Sequence, residues 1–195
     1  MASDSTIIKF CSYNSQGHGA GRTDYIRELC QTNDFVLLQE HWYHDSQASV
    51  FETEIENISS HFTSGMEAGV LLEGRPYGGC AVLWSNIRIA EVQPVSVNSR
   101  RICGITTNLN GLNTLICSVY MPCLHRQNAT EFRDVLAELA ILCCSSNLDS
   151  IIIGGDFNLD VKNCKTDQSC ALKDFLNTHN LKSVLSRKCY SSNLY

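Results

Sequence analysis

Asn14, Glu40 and Asp156 each stand at the end of a short run of apolar residues, and each carries a side-chain oxygen. The runs are IIKFCSY (7–13), FVLLQ (35–39) and SIIIGG (150–155). Asn158 follows Asp156 at i+2, the spacing that aims two side chains to one side of an extended backbone. Phe157, between them, is expected to pack behind. Gly154 and Gly155 let the chain turn and approach a neighbour closely. In α/β folds, ligands commonly gather beyond the carboxyl ends of strands. One or two carboxylates with amide oxygens, leaving room for water and a phosphate, suit Mg²⁺. Taken singly, each residue has a plainer explanation. An Asn after a strand forms a turn, a Glu at a strand end is solvated, and Gly-Gly-Asp-Phe-Asn makes a tight turn. Their joint placement is what points to metal-assisted chemistry.

The elements that must position these residues can be read from periodicity and punctuation. Strands are predicted at 7–13, 35–38, 80–84 and 150–153, with one or two more within 87–97. The runs 102–109 and 112–120 flank Asn110-Gly111, a strong hairpin signal. After residue 13 the chain loosens into a glycine-rich loop, and Thr23 is a plausible N-cap for a helix carrying Tyr25, Ile26 and Leu29. A helix is predicted over 46–58, with Val50, Phe51, Ile55 and Ile58 on one face. The clearest helix covers 128–144, and a short one covers 171–177. The segment 162–169 reads as polar and turn-like, and 183–195 has no period. Hairpins mixed with helical crossovers imply a two-sheet α/β sandwich, of α+β character, rather than a purely parallel sheet.

The bulk numbers fit that picture. A chain of 195 residues with 44% hydrophobic and 18% charged residues suits one globular domain. No apolar run approaches the roughly 20 residues of a membrane span. The first residues lack the basic start and apolar stretch of a signal peptide, which places the chain inside the cell, in nucleus or cytoplasm. Eleven cysteines at irregular spacing, with no Cys-x-x-Cys, read as reduced and mostly buried thiols rather than a zinc site. The net charge of −5 argues mildly against holding nucleic acid by bulk positive charge, and a local basic patch is compatible with it.

LLQEHW (37–42), SVYMP (118–122) and GGDFN (154–158), in this order after an SYN strand end, resemble the endonuclease/exonuclease/phosphatase superfamily. The endonuclease domain of non-LTR retrotransposon polyproteins is most similar, and GGCAVLW and RRICGI add to the likeness. The resemblance runs from about residue 7 to 160. It implies a Mg²⁺-dependent phosphodiester hydrolase, with Mn²⁺ as an alternative ion. Glu40 would be the principal metal carboxylate, with Asn14 close by. Tyr120 would contact the scissile phosphate. Asp156 would orient or activate water or assist the leaving group, and Asn158 would hold phosphate oxygens. DNA would be the partner, met through Arg100, Arg101 and Arg22.

Two departures qualify the likeness. Cys123 follows Tyr-x-Pro where abasic-site repair members carry Asn. The family's late Ser-Asp-His does not occur in this sequence, and His179, after Asn177-Thr178, does not match it. The expectation is therefore one domain, 1–195, cut before its last strands and weak or inactive as a DNA-nicking enzyme. His41 and His44 are expected at the cleft rim. The alternatives are a phosphatase or phospholipase of the same superfamily, or a non-enzymatic mobile-element remnant. The first would differ in the 60–77 loop and at Arg187-Lys188.

Overall fold

Strands buried on both faces favour apolar residues at consecutive positions, and FVLLQ has four before its terminal Gln39: β2 (Phe35–Gln39) is buried throughout. The structure is a computed structural model that describes residues 7–17, 19–67, 69, 74–123, 125–159 and 166–184. His18 of the glycine-rich loop, residues 162–165 of the polar segment, Arg187-Lys188 and the rest of 185–195 lie outside the described residues, as does part of the 60–77 loop.

The first sheet contains β1 (Phe10–Asn14), β2, β3 (Ile58–Thr63) and β4 (Cys80–Ser85) in the order β1-β2-β4-β3. Here β1 runs parallel to β2, and the other pairs are antiparallel. The second sheet contains β5 (Val92–Val95), β6 (Ile102–Leu109), β7 (Leu112–Tyr120) and β8 (Ser150–Asp156) in sequence order. Its β7–β8 pair is parallel. The β6–β7 hairpin closes at Asn110-Gly111, both with positive φ (52° and 88°), as a type I′ turn requires.

Three apolar clusters fill the four layers. Between the sheets lie Phe35, Leu37, Val82, Cys103, Ile105 and Ile116. On the outer face of the first sheet, Val36, Leu38 and Leu83 pack with Ile26 of α1 (Ala20–Thr32) and Phe51 of α2 (Val50–Glu54). On the outer face of the second, Leu115, Cys117 and Val119 pack with Phe132 and Leu139 of α3 (Ala129–Cys143) and Leu172 of α4 (Asp167–Thr178). Alternate residues of β2 and β7 thus serve opposite cores, which is why Phe35–Leu38 and Leu115–Cys117 are apolar at consecutive positions.

Four boundaries differ from the sequence reading. Helix α1 begins at Ala20, so Thr23 is inside it, not at its cap. The helix expected over 46–58 is a 3₁₀ turn and the five residues of α2; Ile55, extended at φ −128°, ends the helical path and Ile58 opens β3. Helix α4 starts earlier than expected because Thr166 caps it, its hydroxyl accepting from the Ser169 amide at 3.1 Å. Strand β8 runs through both glycines to Asp156. Gly154 and Gly155 are therefore sites of close approach, not of a turn. A Cβ on Gly154 would meet Leu37 Cδ1 at 2.5 Å, and one on Gly155 would meet the Val119 carbonyl oxygen at 2.0 Å.

Candidate active site

The columns facing the inter-sheet layer change character toward one end. On β1 the column is Phe10, Ser12, Asn14; on β2 it is Phe35, Leu37, Gln39; on β7 it is Ile116, Ser118, Tyr120; on β8 it is Ile152, Gly154, Asp156. Each begins apolar and ends polar. The sandwich is therefore sealed at one end and chemically armed at the other. Beneath the rim lies a buried polar tie. Gln39, 1% exposed, donates from Nε2 to Ser118 Oγ at 2.9 Å and accepts from Ser12 Oγ at 3.3 Å. Ser118 Oγ donates to the Leu38 carbonyl at 2.7 Å. Fully partnered, this network fixes the register of one sheet on the other just below the rim.

Above it, Asn14 Nδ2 donates to Glu40 Oε1 at 2.7 Å and to Asp156 Oδ2 at 2.9 Å. One amide thus holds a carboxylate from each sheet. Asn14 Oδ1 accepts from the Gln16 amide at 3.0 Å, which fixes the orientation of the side chain. Tyr120 is paired in register with Asp156. Its hydroxyl donates to Glu40, and its pKa is pushed up by burial first, then by the Glu40 charge and that hydrogen bond. The phenol is a donor at neutral pH. The Arg101 guanidinium lies 5.4 Å over the Tyr120 ring and pairs with Glu131 at 2.5 Å.

The backbone around these groups is strained. Gln16, Glu40, Trp42 and Asn158 have φ of 49°, 55°, 60° and 51°, a left-handed conformation uncommon for such residues. Residues 40–42 are held there from both sides. The Glu40 amide donates to the Gly79 carbonyl at 2.8 Å and the Trp42 amide to the Gly78 carbonyl at 3.0 Å. The Gly17 amide donates to the Glu40 carbonyl at 2.6 Å. Asn158 has left the strand direction, so the i, i+2 argument does not describe it. Its amide N–H donates to Asp156 Oδ1 at 3.0 Å and its Nδ2 to the Met121 carbonyl at 2.7 Å. A second Nδ2 hydrogen remains for a ligand.

A groove of about 950 Å³ opens from Glu40 and Tyr120 and is lined by Arg75, Arg100, Arg101, Trp42 and Tyr77. Arg100 donates to the Met66 carbonyl at 2.5 Å. Arg22 is exposed on α1 and does not line this groove. His41 is not at the rim. It is 1% exposed, accepting at Nδ1 from the Tyr43 amide (3.0 Å) and meeting the Thr63 carbonyl through Nε2 (3.2 Å). His44 caps the 3₁₀ turn, and His179 sits half-buried against Phe175 at the end of α4. Sequence reasoning missed Gln39, Ser118 and Arg75. The first two stood inside the motifs, and a polar residue within a doubly buried strand was the signal for both.

No three of His, Cys, Asp and Glu cluster as a metal cage among the described residues. Glu40 and Asp156, bridged by the Asn14 amide nitrogen, instead form a sparse pair of hard-oxygen donors that fits an ion keeping its own waters.

A four-layer sandwich of two mixed sheets, with acidic and amide side chains gathered at one strand-end rim, has the architecture of a nuclease or phosphatase fold. The chain belongs to the Endonuclease/Exonuclease/phosphatase family, whose model matches residues 11–163. Among solved structures it is similar to the endonuclease domain of TRAS1, a telomere-specific non-LTR retrotransposon. That match has a TM-score of 0.65 at 11% identity, covering 88% of this chain and 72% of that one. It is similar to the AP endonuclease LMAP from Leishmania major, with a TM-score of 0.64 at 13% identity, covering 89% and 67%. It is also similar to humanized D. rerio TDP2, with a TM-score of 0.57 at 17% identity, covering 85% of this chain and 66%, just under two thirds, of that one. No curated protein sequence matches significantly. No helix among the described residues is long and apolar enough to cross a membrane.

Proposed function

We propose that this chain is a Mg²⁺-dependent phosphodiester hydrolase that nicks DNA. The observation that carries the reading is Asn14 holding Glu40 and Asp156 together across the two sheets, with Tyr120 bonded to Glu40. Members of the family are generally divalent-metal dependent, and TRAS1 is named as a retrotransposon endonuclease. Glu40 would hold the ion, joined by Asn14 Oδ1 once that amide turns its N–H groups away from the two carboxylates, with Mn²⁺ able to substitute. When bound, it would neutralise charge developing on the phosphoryl group. Tyr120, kept protonated, would donate to a phosphate oxygen. Asn158 would donate its second amide hydrogen to another. Asp156, held by the Asn158 backbone N–H, would orient the attacking water. Arg100 and Arg101, on the groove wall, would meet flanking phosphates, with Arg22 reaching only a longer duplex.

The test is nicking of supercoiled plasmid with Mg²⁺, comparing the chain with its Glu40→Gln and Asp156→Asn variants. The sequence holds no Ser-Asp-His, so a general acid–base contribution of about 10²–10⁴-fold is missing and slow nicking is expected. Nicking that is indifferent to Glu40→Gln and to chelation would overturn the assignment. One observation favours a phosphatase or phospholipase instead. The groove wall supplied by α3 carries Glu131, Asp134 and Glu138, which repel a long run of phosphates. Hydrolysis of a small phosphoester with no plasmid nicking would select that reading.

A further inference from the structure

Trp42 bears two uncompensated costs. A bulky residue is held at φ 60°, and its indole Nε1 is buried without a hydrogen-bond partner. A tryptophan placed only for packing would ordinarily carry neither. One face of the ring is sealed by Gly17, where an added Cβ would come within 2.2 Å of ring carbon. Toward the groove it meets Arg75, whose guanidinium lies 5.8 Å from the ring centroid. Arg75 is exposed and forms no ion pair among the described residues, whereas Arg101 is paired with Glu131. Tyr77, 56% exposed, lines the same groove. A rigid indole, a free guanidinium and an exposed phenol ring, two residues along the chain from Glu40, are the parts of a stacking platform rather than of a phosphate clamp alone.

Resting on the DNA-hydrolase reading, we infer that Trp42, Arg75 and Tyr77 seat one unstacked nucleobase beside the scissile phosphate. The site would therefore prefer single-stranded or locally opened DNA to a stacked duplex. The base would take the groove-side face of the indole in place of the Arg75 guanidinium, which, exposed and outside any ion pair among the described residues, would turn outward to the neighbouring phosphate. Such stacking changes affinity by about 5- to 150-fold per base.

The experiment uses intrinsic fluorescence in a Trp84→Phe background, so that Trp42 is the reporting indole. Ca²⁺ replaces Mg²⁺ to limit cleavage. A short oligothymidylate is compared with an oligonucleotide of equal length carrying abasic positions, which keeps the phosphates and removes the bases. The expected result is quenching of Trp42 by oligothymidylate and about tenfold weaker binding of the abasic strand. Trp42→Phe should keep most of that difference, and Trp42→Leu should abolish it, both read by fluorescence anisotropy of labelled strands. Equal affinity of the Trp84→Phe protein for the two strands overturns the base seat and leaves the DNA reading standing. Binding of neither strand removes both.

Discussion

Tyr120 shows how a side chain is assigned its part by its surroundings. Burial and the adjacent Glu40 both oppose the phenolate, so the hydroxyl stays a donor through the neutral range. Tyr120→Phe should lower nicking by about 10²-fold, the usual cost of removing one positioned donor. The nicking–pH profile should show no inflection from this group between pH 6 and 9. A profile that loses an inflection in the Phe variant would contradict this. Glu40→Ala should weaken Mg²⁺ binding, measured by calorimetry, because it removes one of two carboxylates at the site. At this scale the sequence was informative where a polar residue ended an apolar run, as Asn14, Glu40 and Asp156 do. It was silent on Arg75, which stands in a loop without a motif, and misleading on His41. A histidine beside Glu40 reads as exposed, but the left-handed turn at Glu40 and Trp42 folds it under the chain.

The strands and helices place these groups through two glycines and a hairpin. Gly155 has backbone against its missing Cβ, whereas Gly154 faces the far end of the Leu37 side chain. Gly155→Ala should therefore cost more stability than Gly154→Ala, by urea denaturation. The expected size is about 1–3 kcal/mol or above for Gly155→Ala, since a carbonyl in a sheet cannot step aside as a leucine methyl can. A smaller loss at Gly155 than at Gly154 would show that β8 shifts freely. The doubly buried strands β2 and β7 were legible as strands because each carries an unbroken apolar run, Phe35–Leu38 and Leu115–Cys117. That same uniformity hid which face Gln39 and Ser118 occupy, because period-two contrast vanishes when both faces are buried. Strand β3 was hidden for the opposite reason. Its ISSHFT is mostly polar, with Ile58 and Phe62 its two strongly apolar residues, and Ile58 continues the helical spacing of Phe51 and Ile55.

For the whole molecule, the thiols divide by depth. Burial pushes Cys30 and Cys103 up to about 12 and Cys11 and Cys143 up to about 11, from an ordinary 9.0. Cys80 and Cys117 are raised as well, again by burial first. In the unfolded chain these groups release protons near their ordinary pKa; in the folded one they hold them longer. Stability should therefore be unaffected by them below about pH 8 and fall as pH rises through 9 toward 11. The urea midpoint measured across that range should drop, and Cys103→Ala should lessen the drop. Alkylation of the native protein at pH 8 should reach Cys123, Cys144 and Cys170, which are exposed, well before the buried set, as peptide mass mapping would show. Among the described residues four cysteines are buried, two half-buried and three exposed, and the exposed ones mark where composition could not distinguish position.

Asn14 touches a carboxylate from each sheet, and this has a consequence for how the protein comes apart. Glu40 stands on the first sheet beside Asn14, so the sheets separate by breaking the Asn14–Asp156 bond, the Gln39–Ser118 tie and the Ser118–Leu38 bond, and any cation held jointly by Glu40 and Asp156 would act as a rivet through the sandwich. Binding at one hundred times its dissociation constant would add about 2.7 kcal/mol to the closed form. That increment would be felt by both layers at once. Amide hydrogens in β2 and in β7 should accordingly slow together in native-state exchange when Mg²⁺ is added, although they belong to different sheets. In the Asn14→Ala protein the two sets should lose that common response, each layer then opening on its own schedule.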